Sequence, residues 1–220
     1  FRFLLPSTRP VDAMEMGWDR PQEDEFALCN LGIPSMYLTM AFPNRPVQYP
    51  EYLSLENVSA PDLARWKRSL RTFFKQLTYQ RRGRLVLKSP PHTFRLPILL
   101  DMFPRACFIH IVRDPYRVFV STVRLWKSLY AWQGYQEPNY AGLEEHVFRT
   151  FDAMYTRLEA TRHLIDPSRF CEVRYEDLVR DPIAQFRAIY QKLDLGSFNA
   201  VEPSVRRYFA ERADYRTNRY

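Results

Sequence analysis

Twice within residues 84–121 a short apolar run ends in a cation, meets a proline and gives way to a helical pattern. The first run, Leu85–Leu87, ends at Lys88 ahead of Ser89-Pro90-Pro91-His92. The second, Cys107–Val112, ends at Arg113 ahead of Asp114-Pro115. A residue before proline is pushed to extended backbone, and proline suits a first helical turn, so each junction predicts strand, turn, helix. Strands that alternate with helices build a parallel sheet. Ligands of such sheets sit in the crevice beyond the carboxyl ends of the strands, where Lys88 and Arg113 would both attract an anion. Ser121 stands eight residues after Arg113, two turns into the helix that starts at Asp114-Pro115. A strand-end arginine with a serine so placed makes a phosphate clamp, and the segment points to an enzyme handling a nucleotide phosphate.

The rest of the chain supports that architecture. Glu23–Leu31 reads as a short helix after Pro21, and 34–57, rich in Pro, Tyr and Asn, as an ordered excursion over the surface. A long helix is expected from Ser59-Ala60-Pro61 to about Arg81. Then come strand 84–88, helix 92–103, strand 107–112, helix 115–130, loop 133–140 and a second long helix over 141–165. Strand 169–174 leads into Tyr175-Glu176-Asp177-Leu178, and Asp181-Pro182 caps a helix to about Leu193. Three core strands are few for a doubly wound sheet, which fits a chain whose first strand is missing. Residues 1–220 are expected to form one domain, incomplete at its N-terminus.

Composition narrows the function classes. Hydrophobic residues make up 46% of the chain and aromatics 15%, enough for a packed core. No apolar run approaches the roughly 18 residues of a membrane span. The net charge of +7 attracts nucleic acid, anionic lipid or anionic small molecules. With no lysine-rich tail, one pocket for a polyanionic ligand explains it as well as nucleic acid does; no nucleic-acid partner is expected. Cys29, Cys107 and Cys171 lack metal-ligand spacing; Cys107 and Cys171 are expected as buried strand residues, and the odd count suits a reducing compartment, the cytoplasm.

The pattern resembles the sulfotransferases that use 3'-phosphoadenosine 5'-phosphosulfate (PAPS). It matches their Arg-Asp-Pro strand end at Arg113-Asp114-Pro115, the serine at Ser121, the lysine-ended strand at Lys88 and the Tyr-Glu-Asp-Leu element at Tyr175–Leu178. Arg9-Pro10-Val11-Asp12 and Pro21-Gln22-Glu23-Asp24-Glu25 are similar to a bacterial branch acting on carbohydrate or small molecules. The resemblance implies an α/β fold of the P-loop nucleotide-binding type, with a central parallel sheet flanked by helices. It implies sulfuryl transfer from PAPS to a hydroxyl or amine acceptor, leaving adenosine 3',5'-bisphosphate (PAP). Arg113 and Ser121 would hold the 3'-phosphate, and Tyr175 would lie against adenine. The family's 5'-phosphosulfate loop, an Arg-Ser-Gly-Thr-like turn, is not among these residues and is expected upstream.

Sulfuryl transfer is an in-line displacement in which the protein positions groups and neutralises charge. Lys88 suits the leaving oxygen, and Lys88, Arg113 and the upstream loop make a metal unnecessary. Glu23 is the first choice for the base that takes the acceptor's proton, Glu25 the second and His92 the third. Each also has a plainer reading: Glu23 to Glu25 as an acidic first helical turn, His92 as a helix cap. His110 reads as a satisfied strand histidine, and Tyr215–Tyr220 sits where the family places basic residues. Trp66, Phe73, Phe148 and Phe151 read as core. Two rivals stand beside this reading. A phosphotransferase of the same fold would need a Walker loop and carboxylates for Mg²⁺. A non-catalytic module would bind polyanions with steep salt dependence.

Overall fold

The structure, a computed structural model, describes residues 17, 22–80 and 82–212 of the chain. The Arg9–Asp12 and Tyr215–Tyr220 segments lie outside the described residues. The helices are α1 (Asp24–Asn30), α2 (Ala60–Gln80), α3 (Leu96–Met102), α4 (Pro115–Gln133), α5 (Leu143–Thr161), α6 (Tyr175–Arg180), α7 (Pro182–Lys192) and α8 (Glu202–Ala210). Two strands, β1 (Phe108–Val112) and β2 (Phe170–Arg174), pair in parallel with Phe108 opposite Phe170 and Val112 opposite Arg174. Helices cover both faces. On one, Val173 packs with Ile189 of α7 and Leu193 just beyond it; on the other, Phe108 and Phe170 pack with Leu96 and Leu158 of α3 and α5. The sheet is therefore parallel and flanked by helices, as the strand–helix alternation predicts.

Local sequence accounts for the starts of α2, α4 and α7. Ser59 caps α2: its hydroxyl accepts from the Asp62 amide at 3.3 Å and donates to the Asp62 carboxylate at 2.6 Å. Trp66, Leu70 and Phe74, four residues apart on α2, are buried against Leu28, Ile33, Tyr52, Leu55 and Leu99. Asp114 and Asp181 cap α4 and α7, accepting at 3.0 Å from the Arg117 and Ala184 amides respectively.

The turn after α1 positions the site. Gly32 has φ +77°, a conformation glycine adopts without a Cβ penalty. The Gly32 amide bonds to the Cys29 carbonyl at 2.9 Å and the Ile33 amide to the Leu28 carbonyl at 3.0 Å, the paired bonds of a Schellman ending. Leu28 and Ile33 both enter the core, which locks the reversal. Residues 34–42 consequently run back beside α1, with Met36–Ala41 as a 3₁₀ helix.

Several expectations are corrected. Residues 84–88 are not a strand, and Val86 is 89% exposed. A strand exists only where a neighbour supplies the hydrogen-bond ladder, and among the described residues none lies beside this run. The excursion over 34–57 is not merely superficial, since Met36, Met40, Tyr52 and Leu55 are buried. Cys107 is exposed, lying just before β1, and Cys171 is only partly buried. Phe148 is 59% exposed because it lies off the α5 face that buries Leu143, Val147 and Leu158. Helix α8 was not anticipated; Phe209 docks it onto Phe186 of α7.

Candidate active site

The site begins with Glu23, the residue at the N-terminal boundary of α1. Its side chain makes no capping bond to the helix. Instead the carboxylate faces two donors: the Lys88 ammonium is ion-paired with Oε1, and the Tyr37 hydroxyl donates to Oε2 at 2.8 Å. Lys88 remains 77% exposed, whereas the Glu23 side chain is 19% exposed. Lys88 reaches this point because Ser89, extended ahead of Pro90, directs the chain into a 3₁₀ turn over Pro90–Arg95. Tyr37 reaches it through the reversal at Gly32.

The two neighbouring carboxylates look inward. Glu25 is 1% exposed and accepts from both terminal nitrogens of Arg95, at 2.6 and 3.2 Å, and from the Ser35 hydroxyl at 2.6 Å. Arg95 is itself fully buried and donates further to the carbonyls of Tyr52 and Leu53, with Trp66 beneath its guanidinium at 5.1 Å. Asp24 is also buried, and its Oδ2 lies 2.9 Å from Nε2 of His92. The two are neighbours by distance rather than aligned hydrogen-bond partners, and both ring nitrogens of His92 are enclosed by protein.

Burial first, then the Glu23 charge and the bond donated to it, pushes the Tyr37 phenol well above its ordinary range. Tyr37 is thus a hydroxyl donor throughout the physiological range. Sequence reasoning missed Tyr37, Ser35 and Arg95. The available signal was the run of three carboxylates, since a buried one must find a cationic partner elsewhere in the chain.

The second group lies at the carboxyl ends of β1 and β2. The Arg113 guanidinium stacks over the Tyr175 ring at 4.4 Å. Glu176 accepts from the Asp114 amide at 3.3 Å, tying the turn after β1 to the start of α6. Its own amide and that of Asp114 hold its carboxyl below the usual range. Ser121, half-buried on α4, donates to the Val118 carbonyl at 3.0 Å. The structure thus brings Glu23 to Lys88 and Arg113 to Tyr175, with Glu25 and His92 turned toward the interior. His110 on β1 contacts Glu172 at 3.1 Å and Tyr155 at 6.0 Å between ring centres, a satisfied strand histidine.

The family model described as Sulfotransferase family matches residues 10–199. Omega-hydroxy-beta-dihydromenaquinone-9 sulfotransferase Stf3 of Mycobacterium bovis is 50% identical over 218 residues, covering 99% of this chain. The same protein of Mycobacterium tuberculosis matches equally. The chain spans 56% of the length of these relatives. The crystal structure of sulfotransferase STF1 from M. tuberculosis superposes with a TM-score of 0.59 at 21% identity, covering 86% of this chain and 48% of that one. That likeness establishes the P-loop sulfotransferase fold. From its sequence match over residues 10–199 and the fold it shares, this chain belongs to the sulfotransferase family.

Proposed function

We propose that residues 1–220 are one domain of a PAPS-dependent sulfotransferase that moves a sulfuryl group to an acceptor hydroxyl. The observation that carries the reading is the Glu23 carboxylate held between the Lys88 ammonium and the Tyr37 hydroxyl. PAPS, when bound, supplies the sulfuryl group. Glu23 keeps lone pairs beyond those its two donors use, so it can take the acceptor's proton. Glu25 and His92 are the less suitable bases, because protein encloses the carboxylate of the first and both nitrogens of the second. Lys88, largely exposed on a long stem, can turn its charge toward the oxygen that leaves.

On the nucleotide side the donor set fits a 3'-phosphoadenosine. Arg113 offers a cation to a phosphate, Ser121 a hydroxyl once it turns from the Val118 carbonyl, and Tyr175 a ring to a base. For the acceptor, half-identity to Stf3 favours a hydroxylated, largely apolar molecule like the one in that protein's name. Exposed Phe26, which packs on Tyr37 at 5.2 Å, supplies apolar surface beside the base. Among the described residues no helix is long and apolar enough to cross a membrane. Three free cysteines suit the cytoplasm, where we place the protein.

Glu23→Gln tests the reading. In the full-length protein, sulfuryl transfer from PAPS to a hydroxylated acceptor should fall about 10²–10⁴-fold, with PAP affinity nearly unchanged. A loss of no more than a few-fold contradicts the assignment.

A further inference from the structure

We propose that Tyr37 is a positioning residue for this reaction: its hydroxyl holds the Glu23 carboxylate in the orientation that receives the acceptor's proton. The role rests on the reading of Glu23 as the base.

Glu23 has two donors that differ in kind. Lys88 is 77% exposed on a flexible stem, and its charge is also needed at the leaving oxygen. Whenever Lys88 turns away, the Tyr37 hydroxyl on Oε2 is what remains to fix the plane of the carboxylate. Tyr37 is built for constancy. Its amide donates to the Ser35 hydroxyl at 3.2 Å, Ser35 donates to Glu25 at 2.6 Å, and Glu25 is clamped by fully buried Arg95. Its ring packs on Phe26. A continuous polar chain, Arg95–Glu25–Ser35–Tyr37, therefore runs from the core to the base. The upward shift of the phenol keeps its proton in place, so Tyr37 donates to Glu23 without competing for the acceptor's proton.

Tyr37→Phe deletes one oxygen and keeps the ring, which separates positioning from packing. In the full-length protein, kcat should fall about 10- to 100-fold, as expected when a reacting group loses its alignment. PAP affinity and Tm should stay at wild-type values. The double variant Glu23→Gln/Tyr37→Phe should be no slower than Glu23→Gln alone, because Tyr37 acts through Glu23. A kcat within two-fold of wild type overturns the role. So does a Tyr37→Phe loss that adds in full on the Glu23→Gln background, or a lower kcat tracking an equal loss of Tm and PAP affinity. Absence of sulfuryl transfer in the wild type sinks the underlying reading and this role with it. An active wild type with a silent Tyr37→Phe sinks this role alone.

Discussion

At Glu25 burial and charge conflict, and the fold answers with a buried cation. A carboxylate enclosed by protein costs several kcal/mol unless a partner compensates, and Arg95, Ser35 and the low local polarity make its bonds strong. Removing Arg95 leaves that charge stranded. Arg95→Met should therefore destabilise the fold by about 3–5 kcal/mol, read from the urea midpoint. An unchanged midpoint would mean that the pair contributes nothing to stability. Sequence showed three carboxylates within three residues, all candidates for a helix terminus and two of them, Glu23 and Glu25, for chemistry. Which of them turns inward depends on Arg95, 70 residues away, and on the reversal at Gly32 that returns Ser35 and Tyr37 to α1. Contacts of that range leave no local pattern, so Tyr37 was invisible in the sequence while Glu23 was not.

At the level of elements, the junction after β1 joins fold to site. Asp114 caps α4 through the Arg117 amide and gives its own amide to Glu176, so one residue fixes both a helix start and the neighbouring turn. Asp114→Ala should cost about 1 kcal/mol, the usual loss for an N-cap, and Asp114→Asn should recover most of it. Equal stability of the Ala variant by urea titration contradicts the capping role. Helices α2, α4 and α7 were legible because caps and prolines mark their starts and apolar spacing marks a buried face. The run 84–88 was legible as apolar but not as unpaired, since pairing is a property of the neighbour. Helix α8 escaped because only nine residues with few apolar anchors form it.

For the molecule as a whole, the net charge of +7 draws any nucleotide toward the protein and does not by itself select one. Selection requires a directed contact. Adenosine 3',5'-bisphosphate differs from AMP by the 3'-phosphate alone, and Arg113 with Ser121 is the pair we propose for it. Fold and family follow from residues 10–199, whereas the donor rests on this pair. Calorimetry of PAP and AMP binding to the full-length protein and its Arg113→Ala variant addresses that claim most directly. Loss of a charge-assisted hydrogen bond costs about 1.5–3 kcal/mol, so PAP should bind at least about tenfold more tightly than AMP. Arg113→Ala should abolish most of that preference and leave AMP binding nearly unchanged. Equal affinity for the two nucleotides in the wild type, or a preference that survives Arg113→Ala, would contradict the account.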